Sequence, residues 1–210
     1  MKNWHVAIQF DDLGFATSYE VEIDPEFPAS GDWGAPEFRF GGRSSWTLTI
    51  RIHPHLAVPW VASFALEPRG RLINGLYGCP NPRQLLVVAG DKAYLIEVTE
   101  PGSVNELPIS PLLVVRRVPA TELVVIGSFT NLAAIDEFGL RWLTDRLFLD
   151  GLELVDGPPG KIYAKGSVHA IHGDSERLVI DADRGTVSEG RWDPSIAGPY
   201  GRPGWRRSGI

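Results

Sequence analysis

Four of the five histidines fall in two close pairs, His53 and His55 in "HPH" and His169 and His172 in "HAIH". Imidazole is a common ligand of Zn²⁺ and Fe²⁺. Residues two apart on a strand share a face, so His53 and His55 can both approach one ion. His169 and His172 are three apart and need a bend to join them. A metal-dependent enzyme built on these two pairs is one expectation, and it is the narrowest of three. "DADRGTVSEG" opens like a calcium loop at Asp181 and Asp183, but Gly185 stands where a third oxygen ligand belongs. A tight turn between two strands is expected there instead. Cys79 is the only cysteine and sits in "GCPNPR" with no activating base at a recognisable spacing, so an inert thiol is expected. No nucleophile elbow, phosphate-binding loop or dinucleotide fingerprint occurs in the sequence. No cofactor is expected.

Seven tryptophans form the other conspicuous group. Trp4 and Trp46 lie on apolar strand faces and read as core. Trp33 in "SGDWGAPEF", Trp192 in "EGRWDP" and Trp205 in "GRPGWRRSG" lie in Gly/Pro-rich stretches that no core pattern claims. Around Trp205 stand Arg202, Arg206 and Arg207, in a segment with a single Asp. Trp and Arg dominate binding hot spots, which makes Trp33, Trp192, Arg202, Trp205, Arg206 and Arg207 the candidate partner-contacting residues. Indole also stacks on sugar rings, so a second reading is a carbohydrate or small-ligand module using Trp33 or Trp60.

Charge and hydropathy narrow the partners. A net charge of −6 repels phosphate backbones and anionic lipid, so neither nucleic acid nor membrane is expected as a partner. No window approaches the roughly 18 apolar residues of a membrane-spanning helix. The opening "MKNWHVAIQFDDLGF" puts Asp11 and Asp12 where a signal peptide needs an apolar stretch, and a lone cysteine suits a reducing compartment. A cytoplasmic location is expected.

The elements that must position these residues are strands. In "SYEVEI", Tyr19, Val21 and Ile23 oppose Glu20 and Glu22; in "SWTLTIRI", Trp46, Leu48, Ile50 and Ile52 oppose Thr47, Thr49 and Arg51. "WHVAIQF" alternates likewise. Such alternation marks antiparallel sheets with one buried and one wet face. "QLLVVAG", "PLLVV" and "ELVVIG" are continuous apolar runs too short for typical helices, expected as strands covered on both faces. "NLAAIDEFG" alone carries helix signals, with Asn131 as N-cap and Gly139 as terminator.

Strand-like segments restart at Trp46, Gln84, Glu122 and Lys161, in steps of 38, 38 and 39 residues. In the last three units a second segment follows ("KAYLIEV", "NLAAID", "RLVID"), then a glycine at Gly102, Gly139 or Gly185. A period near 40 with several strands per unit points to an all-β, antiparallel fold of propeller-like repeats, with a β-sandwich as the alternative. One domain over residues 1–192 and a tail over 193–210 are expected. Leu86, Val124 and Ile162 should be buried in equivalent strands around a common axis.

"LAAIDEFGLRW" resembles the Ala-x-Asp…Gly…Trp repeat of the quinoprotein-like propeller families, through Ala134, Asp136, Gly139 and Trp142. The resemblance covers about one blade. Its gaps are each a residue short, and Phe138 replaces the usual Thr. It implies that Trp142 packs between neighbouring blades, and it implies neither a quinone nor an activity. The leading expectation of the three is a binding protein: a rigid β scaffold engaging a protein partner, of toxin-neutralising or adaptor type.

Overall fold

The computed structural model describes residues 8–42, 44–66, 73–168 and 175–190. These form seventeen strands and no helix. No helix among them is long and apolar enough to cross a membrane. Two compact units divide the chain, Met1–Pro108 and Ile109–Ile210.

In the first unit, one sheet holds β2 (Tyr19–Ile23), β3 (Glu37–Phe40), β4 (Thr47–Pro54) and β5 (Trp60–Ala65), in the order β2-β4-β5-β3. The β2/β4 register runs from Tyr19↔Pro54 to Ile23↔Ile50, and β3 lies parallel to β5 from Glu37↔Val61 to Phe40↔Phe64. The expected alternation is present: Leu48, Ile50 and Ile52 are buried, as are Trp60, Ala62 and Phe64 facing them. The second sheet runs β1 (Phe10–Asp11), β6 (Gly75–Gly78), β7 (Gln84–Ala89), β8 (Lys92–Glu97) and β9 (Val104–Glu106), in that order. β1 pairs parallel to β6 and the rest is an antiparallel meander. The apolar faces of the two sheets share one core, in which Phe64 meets Tyr94 at 5.3 Å between ring centroids.

The second unit consists of two four-stranded antiparallel meanders. The first is β10 (Val114–Arg117), β11 (Val124–Gly127), β12 (Leu132–Asp136) and β13 (Gly139–Leu143). The second is β14 (Asp150–Val155), β15 (Lys161–Ser167), β16 (Ser175–Asp181) and β17 (Val187–Glu189). Their shared core includes Trp142, Phe148, Ile162 and Leu178.

The repeat therefore exists in three of its four units. β7, β11 and β15 are each the second strand of a four-stranded meander; β8, β12 and β16 are each the third. Gly102, Gly139 and Gly185 follow those third strands. Leu86, Val124 and Ile162 are buried in those second strands. The unit beginning near Trp46 departs from the pattern, because β3 pairs parallel to β5 and the sheet is not a simple meander.

One local ambiguity is resolved and two expectations are corrected. "NLAAIDEFG" is no helix: β12 forms because ladders to β11 and β13 satisfy its backbone on both sides, and Leu132–Ile135 are buried throughout. That pairing outweighs the propensity of two alanines. "PLLVV" reaches a strand only at Val114, and β10 is a half-exposed edge rather than a covered strand. Trp46 is 58% exposed, because β4 begins one residue later and the indole falls outside the pleat.

Candidate functional site

The hairpin singled out by its resemblance is tied down at each named residue. Asp136 Oδ1 accepts the Phe138 amide at 2.8 Å and closes the two-residue turn between β12 and β13. Trp142, buried on β13, donates its Nε1–H to the Ala182 carbonyl at 2.9 Å. Ala182 directly follows β16, so the indole crosses to the neighbouring sheet of its unit. Gly185 makes room for it: a Cβ there would lie 2.6 Å from the indole ring. Arg141 adds a polar link over the same gap, its guanidinium 3.1 Å from Asp183 Oδ1.

The first unit repeats this arrangement. Trp60, buried on β5, donates its Nε1–H to the carbonyl of Val98 at 2.9 Å, and Val98 directly follows β8. In both units a tryptophan of one sheet holds the chain where it leaves the third strand of the other sheet's meander. Sequence reasoning offered Trp60 to a sugar. Its burial and its bonded nitrogen leave no face for one, which corrects that assignment.

The remaining predicted residues are described only in part. Trp33 is half-buried in the connection from β2 to β3, edge-on to Phe27 with centroids 5.2 Å apart, and Phe27 is 62% exposed. Trp192, Arg202, Trp205, Arg206 and Arg207 lie outside the described residues, as do His169 and His172. His53 lies on β4 with its Nε2 3.8 Å from Glu22 Oε2. The strand ends at Pro54, and His55 falls in the following turn, its amide donating to the Ser18 carbonyl at 2.9 Å. Among the described residues no three His, Cys, Asp or Glu side chains are grouped to hold a metal. Asp181 Oδ1 accepts the amides of Asp183 and Arg184, which makes "DADRG" a tight turn. Cys79 is fully buried, and desolvation pushes its thiol from 9.0 up to about 12.

Two features were not legible in the sequence. The loop joining β4 to β5 projects Leu56 and Val58, 93% and 70% exposed. The connection bearing Trp33 ends beside it, since the Pro36 carbonyl accepts the Val61 amide at 2.9 Å. At the opposite end of the same sheet lies an open cleft of about 920 Å³, lined by Arg39, Phe40, Gly41, Gly42, Ser44, Ser45, Thr47, Ser63 and Ala65. Arg39, Ser63 and Thr49 form one cross-strand row on the outer face, and Thr47 and Ala65 form the next.

Neither a scan of protein-family models nor a comparison with characterised proteins finds a match. Among solved structures, the chain is similar to the N-terminal domain of Nup159, at 12% identity and a TM-score of 0.30, over 89% of this chain and 71% of that one. A likeness of that size carries neither a fold assignment nor a function.

Proposed function

We propose that the chain is a binding protein whose β sheets serve as a rigid frame for loops that engage a protein partner. The carrying observation is a pair of apolar loops on the first sheet. Leu56 and Val58 project from one, and the other holds the Phe27–Trp33 pair. Side chains of this kind cost solvation when left in water, and aromatic anchors beside aliphatic ones are what interface centres bury. The blade-like packing of sheets within each unit, each closed by its tryptophan, fits a frame that changes little on binding.

The test compares the wild-type chain with a Leu56→Ser/Val58→Ser/Trp33→Ala variant. Affinity purification from the native host, read by mass spectrometry, should find a partner on the wild type that the variant loses. Both should melt at the same temperature, since the replaced groups lie in loops. A variant that retains the partner refutes this surface. The reading also places the interaction in the cytoplasm, which a fractionation of the native host tests directly.

A further inference from the structure

We infer that the cleft on the outer face of the first sheet binds a small molecule carrying a phosphate group. Its lining is rich in donors and contains no carboxylate among the described residues. Arg39 projects from the edge strand β3 with no ion pair or hydrogen bond to any described residue, whereas Arg116, Arg117 and Arg141 in the second unit all hold carboxylates. A guanidinium presents five N–H donors in a fork that matches an oxyanion, and no described residue competes for it.

The loop over the cleft supplies further donors. Gly41 takes a left-handed conformation, φ +82°, as the chain leaves β3. Its amide and that of Gly42 have no acceptor among the described residues, and successive unpaired amides at such a turn form an anion-holding concavity. A side chain at Gly41 would press on Ala65 at 3.0 Å and on the Tyr94 hydroxyl at 3.2 Å, so the backbone itself forms this wall. The hydroxyls of Ser45 and Thr47 are likewise uncommitted among the described residues. Ser44 holds the loop in place: its Oγ donates to the Leu66 carbonyl at 2.7 Å and accepts the Trp46 amide at 3.1 Å. Ser63 is steadied by Thr49, 3.2 Å between their oxygens. Ser44 and Ser63 are thus held before any ligand arrives.

Charge and size select the ligand class. A phosphomonoester offers three terminal oxygens to Arg39, two amides and two hydroxyls. The cleft is far larger than a bare phosphate, and small-molecule sites run to roughly 300–1,000 Å³. The inference is independent of Leu56 and Val58, which lie at the other end of the sheet.

Titration of the ¹⁵N-labelled chain with ribose 5-phosphate, inorganic phosphate and ribose at low ionic strength tests it. Ribose 5-phosphate should saturate and shift the amides of Gly41 and Gly42, inorganic phosphate should bind more weakly at the same amides, and ribose should leave them unmoved. Arg39→Gln should weaken ribose 5-phosphate roughly tenfold or more, the loss expected for a charge-assisted contact. Thr47→Val, on a different strand, should weaken it by a smaller factor. Failure of ribose 5-phosphate to bind at about 10 mM, equal binding of ribose, or unchanged affinity in Arg39→Gln each overturns the inference.

Discussion

Trp142 combines two roles that substitutions separate. Its ring fills the space over Gly185, and its nitrogen satisfies the buried Ala182 carbonyl. Trp142→Phe keeps most of the ring and removes the donor, so it should cost about 1–3 kcal/mol, the penalty of an orphaned buried acceptor. Trp142→Ala removes both and should cost about 3–5 kcal/mol. Urea unfolding of the two variants checks the order; no loss in Trp142→Phe would mean that the hydrogen bond contributes nothing. Cys79 gives a second prediction at this scale. The folded chain holds the neutral thiol, since burial raises its value from 9.0 to about 12. An unfolded chain ionises first, so this contribution to stability is complete below the unfolded thiol's value and falls as pH rises from there towards the folded one. At mildly alkaline pH the native protein should resist iodoacetamide and become reactive on denaturation. Rapid labelling of native protein would contradict that account.

Strands and hairpins carry their own expectations. Val124 sits in β11 between two paired neighbours and has no exposure. Val124→Asp would place an unpaired charge between covered faces and should cost several kcal/mol, unfolding the second unit as followed by circular dichroism. Phe138 lies at the tip of the β12–β13 hairpin and is 65% exposed. The turn is set by the Asp136 carboxylate rather than by that ring, so Phe138→Ser should change stability by less than about 0.5 kcal/mol. Asp136→Ala should cost more, about 1 kcal/mol, because the Phe138 amide loses its acceptor. A reversal of that order in a melting series would show that the ring, and not the carboxylate, sets the hairpin.

At the scale of the molecule, each unit has a core of its own and its own tryptophan clasp. Units of about a hundred residues bury enough apolar surface to be marginally stable alone. Chains of residues 1–108 and 109–210 expressed separately should each show dispersed amide spectra and cooperative unfolding. Two collapsed, non-cooperative halves would show that the division is one of contacts and not of folding.

The all-β class and the repeat were legible in the residues themselves. Alternation in "SYEVEI" and "SWTLTIRI" reflects a local fact, that successive side chains leave a strand on opposite faces, so composition along a few residues suffices. The period near 38 survived because third strands ending near an acid and followed by glycine recur in β8, β12 and β16. "NLAAIDEFG" stayed ambiguous between helix and strand for the converse reason: propensity is local, whereas β12 is decided by ladders to two strands whose register no short window contains. Trp60 and Trp46 show the same division. Both are tryptophans beside apolar residues, yet one is sealed beneath Val98 and the other lies open, because strand ends and the approach of a second sheet decide burial. The cleft was invisible for that reason too. Arg39, Ser63 and Thr47 come from three strands, and only the parallel pairing of β3 to β5 brings them to one face.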